Sequence, residues 1–94
     1  MPIRRVVLDV DMAVSEPNVI DLARAIEKTP GVQAVNITVT EIDIETVGTD
    51  ATVEGDDIDV TALVRNIEHA GAVVHSVDQV VAGTYTLERT PRAR

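Results

Sequence analysis

Val6-Val7-Leu8-Asp9-Val10 reads as a strand, and the apolar residues that follow it, Val19, Leu22, Ala23 and Ile26, recur at helical spacing. The chain then says the same thing again. Ala51-Thr52-Val53-Glu54 is strand-like, and Val60, Leu63, Val64 and Ile67 mark a second helix. Each helical run is followed by a glycine and a valine-rich strand, at Gly31-Val32 and at Gly71-Ala72-Val73-Val74. Strand–helix–strand written twice in 94 residues predicts an α+β sandwich of order βαββαβ. Its antiparallel sheet should have spatial order 4-1-3-2, with both helices on one face and the other face uncovered.

Working outward, the first strand is expected over residues 3–12, with Val6, Leu8 and Val10 facing the helices and Arg5, Val7, Asp9 and Asp11 facing away. Ser15-Glu16-Pro17 reads as a helix entry, with Ser15 the cap and Glu16 and Pro17 in the first turn. Thr29-Pro30-Gly31 stops that helix. In the long second strand, Val35, Ile37 and Val39 alternate inward, but Ile42 and Ile44 fall on the opposite parity. Either a bulge near Glu41 shifts the register, or the far end buries its other face. A turn over 46–49 pivoting on Gly48 is expected next, then a third strand that turns Ala51 and Val53 inward. Asp57 or Asp59 should cap the second helix, and Gly71 should end it. After a fourth strand over 73–81, Ala82-Gly83 breaks the run and residues 84–87 form a short further strand. The domain spans 1–88, and 89–94 is a frayed basic tail.

Composition excludes several functions. With no cysteine, disulfides, thiolate metal sites and Cys nucleophiles are ruled out. No apolar run approaches the ~18 residues of a membrane span, and no signal-peptide pattern opens the chain, so the expectation is a cytoplasmic protein without a membrane partner. Sixteen acidic against eight basic residues leave a net charge of −8, and three of the bases are Arg89, Arg92 and Arg94 in the last six positions. Such a body repels phosphate backbones, so nucleic acid is not an expected partner. Acid excess, a single Lys and small apolar side chains resemble proteins of salt-loving archaea, the alternative being an ordinary acidic cytosolic protein; where the Debye length is ~3 Å or less, self-repulsion costs little. Neither Phe nor Trp is present and Tyr85 is the lone aromatic, so the core contributes little area per residue and self-association would add to it.

Val7-Leu8-Asp9-Val10, Val35-Asn36-Ile37-Thr38, Glu41-Ile42-Asp43 and His75-Ser76-Val77-Asp78 followed by Val80-Val81-Ala82-Gly83 resemble, in matching order, the archaeal domain-of-unknown-function family 211. The resemblance covers residues 3–83, and its most specific part is the fourth-strand string. It implies a ferredoxin-like fold and homo-oligomers assembled as rings, and leaves the activity open.

Residues able to carry chemistry are few. Asp9 and Asp11 lie two apart on one strand, so their carboxylates point the same way about 7 Å apart. His75 belongs to the strand expected beside them, and the three together could hold a divalent cation. The plainer account is a cross-strand Asp–His pair, or solvated acids. Glu41, Asp43 and Glu45 share parity and repel unless cations screen them; Ca or Mg bound between subunits is one solution and a salt-adapted surface the other. Asp78, on the opposite parity from His75, joins that site only through a bulge or at the strand end, and otherwise caps a turn or accepts backbone hydrogen bonds. Asp56, Asp57 and Asp59 lack the twelfth-position Glu of a calcium loop and are better explained as capping residues. His69 suits a helix C-terminus. Asn36 and Thr38 could bind a small polar ligand or hydrogen-bond across an interface, and Ile42 and Tyr85 suit an intersubunit contact. Ser15 and Ser76 lack nucleophile context, the glycines stand singly, and no aromatic platform exists for bases.

The expectation is therefore a non-enzymatic homo-oligomeric module, with a divalent cation or small ligand at subunit contacts. The alternatives are a small-molecule-sensing regulatory domain and, behind it, an enzyme using Asp9 and His75 as an acid–base pair.

Overall fold

Alternation in the first strand decides the packing. In the computed structural model, which describes residues 1–15 and 18–89, β1 (Ile3–Ala13) fully buries Val6, Leu8 and Val10 and nearly buries Met12, while Arg5, Val7, Asp9 and Asp11 lie half-buried on the opposite face. The remaining elements are α1 (Val19–Glu27), β2 (Val32–Ile42), β3 (Thr46–Gly55), α2 (Val60–His69) and β4 (Val73–Ala82). All pairings are antiparallel and the sheet order is β2-β3-β1-β4, the ferredoxin-like βαββαβ arrangement. Leu22 and Ile26 of α1 and Leu63 and Ile67 of α2 close over Ala51, Val53 and the β1 residues to form one core. Thr49, fully buried, donates its hydroxyl to the Val10 carbonyl at 2.8 Å and so enters that core without an unpaired polar atom.

Local chemistry sets the element ends. α1 is capped by Asn18, not Ser15: the Asn18 carboxamide oxygen accepts from the Asp21 N–H at 2.8 Å. Two cap-competent residues precede the helix, and the nearer one supplies the oxygen three positions before a free N–H. The expected first-turn residues Glu16 and Pro17 lie outside the described residues. Asp59 caps α2 through the Ala62 N–H at 3.0 Å, and Gly71, at φ +96°, terminates it as expected.

Three expectations are corrected or resolved. Gly48 is no pivot. It sits inside β3, paired with Glu41 on one side and Asp11 on the other. The reversal occurs at 43–45, where the Asp43 N–H donates to the Thr46 carbonyl (2.8 Å) and the Asp43 carboxylate accepts from the Ile44 N–H (2.8 Å). An Asp that hydrogen-bonds its own turn needs no glycine there. The parity conflict in β2 is a register shift between Val39 and Glu41, and Ile42 and Ile44 stay 74% and 90% exposed. Finally, residues 84–87 form no strand. β4 is an edge strand and the chain leaves it at Gly83 (φ +127°), where the Gly83 N–H donates to the Pro2 carbonyl and the Arg4 guanidinium donates to the Gly83 carbonyl. The expected tail begins at Arg89, which is exposed; residues 90–94 lie outside the described residues.

Candidate interaction surface

The face turned away from the helices is built in cross-strand rows. One row runs Asn36–Thr52–Val7–Gln79 and the next Thr38–Asp50–Asp9–Ser76, each residue directly opposite its neighbour across the ladder. Beyond them lie Glu41–Gly48–Asp11–Val73 at one end and Glu54–Arg5 at the other. Val7 is the only apolar side chain in the two middle rows, so this face is polar rather than bare and greasy.

The two ends differ in charge. Arg5 is mostly buried, with its guanidinium on Glu54 (2.7 Å) and Glu88 (2.6 Å). Hydrogen bonds to Glu88 and then to Glu54 raise its pKa beyond its already high ordinary value. The Glu88 bond also draws the segment after β4 back over this corner. Arg4 pairs with Asp56. Among the described residues these are the only Lys or Arg on a strand, and both stand at the Met1 end of β1. From the middle row Asp50–Asp9 to the opposite end, with Asp11, Glu41, Asp43 and Glu45, the charges are acidic, and no Lys or Arg lies between Asn36 and Asp50.

The residues singled out as cation ligands come together only in pairs. Asp11 Oδ2 lies 3.8 Å from His75 Nδ1, both largely exposed, which is close enough for an ion pair and too long for a hydrogen bond. Asp9 instead faces Asp50 and Ser76. Glu41 neighbours Asp11 across Gly48, and Asp43 is used by the hairpin turn. Among the described residues, no group of three or more His, Asp or Glu is placed to hold a metal within one chain.

His75 and Asp78 are both left without partners in the β1–β4 ladder, because register shifts fall between Asp9 and Val10 and between Val7 and Leu8. β4 is thus bulged twice. Asp78 does not reach His75; it accepts from the Ser76 hydroxyl at 2.8 Å. The Thr38 hydroxyl donates to the Asn36 carboxamide oxygen at 2.9 Å, and Asn36 lines a shallow cleft of about 270 Å³ with Ala34, Thr52 and Glu54. Sequence reasoning passed over Asp50, whose only signal was that it would lie opposite Asp9 once the β1–β3 register was known.

Exposed apolar side chains concentrate at the periphery. Val73, Val77 and Val80 lie along edge strand β4, Ile42 and Ile44 at the β2–β3 hairpin, and Tyr85 and Leu87 beyond β4. The last two, with Met1, Pro2 and Ala82, line a groove of about 360 Å³. No helix among the described residues is long and apolar enough to cross a membrane.

Comparison with known proteins agrees with this fold and assigns no chemistry to it. An uncharacterized protein of Methanocaldococcus jannaschii is 42% identical over 94 residues, covering 98% of this chain and 96% of that protein. The family model described as uncharacterized ArCR (DUF211) matches residues 4–94. On that match and that identity, the chain belongs to the uncharacterized ArCR family, DUF211.

Proposed function

We propose that this chain is a non-catalytic, self-associating module whose copies meet at their apolar margins, adapted to work in high salt. The observation that carries the reading is the set of exposed Ile42, Ile44, Val73, Val77, Val80, Tyr85 and Leu87 on a chain whose own core is small. Large apolar side chains grouped at margins are what an interface covers; scattered single ones are not. The molecule measures 39 × 37 × 17 Å, a two-layer slab with few interior positions, so burial between copies adds to a limited internal core. Light scattering on the purified protein in high salt tests this. A 10.1 kDa species at every concentration overturns it.

A ligand at the contacts is the second part of the proposal. What supports a divalent cation, Ca or Mg, is Asp9 facing Asp50 with Asp11 and Glu41 in the next row, an arrangement that a positive ion relieves. The ligand set would have to be completed by a second copy. Chelation should then reduce the assembly's mass, and unchanged mass in excess chelator with no bound metal would remove the cation from the proposal. The cleft at Asn36, Thr52 and Glu54 supports the alternative reading, a small-molecule-sensing domain. A thermal-shift screen against amino acids and nucleotides tests it, and the absence of any reproducible stabilisation counts against it.

A further inference from the structure

Beyond β4 the chain turns back over the sheet. Glu88 Oε1 lies 2.6 Å from Arg5 Nη1, and Arg5 stands on the face turned away from the helices, with Glu54 and Gln79 beside it. The sequence that follows, Arg89-Thr90-Pro91-Arg92-Ala93-Arg94, therefore starts over one end of that face; residues 90–94 lie outside the described residues. Three of those six residues are arginine.

The rows ahead of it are acidic. Along β1 from Arg5, Asp9 is four residues on, about 13 Å at strand rise, and Asp11 six residues on, about 20 Å. Asp50 stands opposite Asp9, and Glu41 follows Asp11 across Gly48. Among the described residues no ion pair engages Asp9, Asp50 or Glu41, and Asp11 has only His75, at 3.8 Å. Counted from Glu88, Arg92 and Arg94 are likewise four and six residues on, a reach of about 14 and 21 Å for extended chain. Parity agrees as well as distance. Residues two apart share a side in an extended segment, so Glu88, Thr90, Arg92 and Arg94 would share the side that Glu88 turns onto Arg5. Pro91 fixes its own φ and biases Thr90 toward extended backbone, which lowers the cost of ordering the segment.

We propose that residues 89–94 lie extended across the open sheet face of their own chain, with Arg92 over the Asp9–Asp50 row and Arg94 over Asp11 and Glu41. The contact needs neither a second copy nor a bound cation, so it stands apart from both parts of the reading above. Exposed ion pairs contribute little each, and ordering the segment offsets part of that, so the cover hardly changes unfolding free energy. What it decides is whether the polar face is open. Attraction between exposed charges reaches ~10 Å at about 0.1 M salt and ~3 Å at about 1 M. The face is thus covered in dilute solution and uncovered in concentrated salt.

The chain has no cysteine, so Ala93→Cys gives a single attachment point for a nitroxide, on the side of the segment away from the sheet. At about 0.1 M salt the label should broaden away the amide NMR signals of Asp9, Asp50, Asp11 and Gly48 and leave those of α2, beyond the sheet, sharp. The lost signals should return in about 1 M salt, and at low salt when Arg92→Ala and Arg94→Ala are added. In isotope-labelled chains refolded together with nitroxide-bearing chains of natural isotope content, those signals should stay sharp. None of the substituted residues belongs to the core, and unchanged melting curves check that the variants fold. Signals that stay sharp, or that broaden equally on both sides of the molecule, overturn the cover. Broadening that survives the double substitution or the added salt overturns its ionic basis. Broadening of Asp9 and Asp50 in the mixed sample overturns the placement on the same chain.

Discussion

Asp9 and Asp50 stand directly opposite one another on the two central strands, and their row, completed by Thr38 and Ser76, contains no base. Like charges placed opposite on a sheet destabilise it by roughly 0.2–1 kcal/mol, and salt weakens that effect. Asp50→Asn should therefore raise unfolding free energy by about 0.5 kcal/mol at low ionic strength, with the gain shrinking toward zero in molar salt. Urea melts at two salt concentrations measure it. Equal gains at both would mean that repulsion is not the cause.

The Arg5 cluster predicts a different dependence. Arg5→Met removes charge-assisted bonds to Glu54 and Glu88, both well exposed on their own side, so the loss should be modest, about 1 kcal/mol. The guanidinium's pKa is raised on folding, so this contribution is fully present below its ordinary value and lost only as pH rises through the still higher folded value. The difference between Arg5→Met and wild type should thus stay flat from about pH 7 to about pH 9. Limited proteolysis should also cut the variant faster at 84–89, since Glu88 is then released.

The capping assignment separates two residues that look alike. Asn18→Ala should cost about 1 kcal/mol and Asp59→Ala a similar amount, because each leaves a first-turn N–H without its acceptor. Ser15→Ala should fall within about 0.5 kcal/mol of wild type. Chemical denaturation of the three variants side by side decides the matter, and a larger loss at Ser15 than at Asn18 would contradict the structure.

Glycines separate in the same manner. A Cβ on Gly55 would overlap the Gly31 carbonyl oxygen, and one on Gly31, itself at φ +88°, would overlap the Asp57 carbonyl. At Gly48 the nearest atoms lie at 3.5–3.8 Å, ordinary contact distance. Gly55→Ala should lose about 2–4 kcal/mol by backbone displacement, whereas Gly48→Ala should change stability by less than about 1 kcal/mol. Thermal melts report both.

What was readable in advance was periodic. Val6, Leu8 and Val10 at spacing two, and Leu22, Ile26, Leu63 and Ile67 at helical spacing, fix which side chains meet, and the doubled strand–helix–strand order then constrains the sheet. Even the shift near Glu41 showed as a broken alternation between Val39 and Ile42. Other features depend on partners distant in sequence. Asp50 becomes notable only opposite Asp9, forty-one positions earlier, and the double bulge that leaves His75 and Asp78 unpaired is a property of the ladder with β1. Gly48 misled because glycine signals a turn by itself, while the actual reversal is held by the Asp43 side chain. The open face has Asn36, Thr52, Thr38 and Asp50 in its middle rows, while Ile42, Val73, Val77 and Val80 are exposed along its rim, a division that only the strand register reveals.

The kinks in β4 matter for what this molecule avoids. A rim strand rich in valine, without proline and with few charges, is the sort of segment that recruits stray chains into fibrous stacks. Two interruptions within ten residues spoil the spacing of its outward hydrogen-bonding groups, so an incoming strand finds no long straight template. Where dissolved ions mute the repulsion between acidic neighbours, that irregularity is a safeguard against clumping that does not fade with ionic strength.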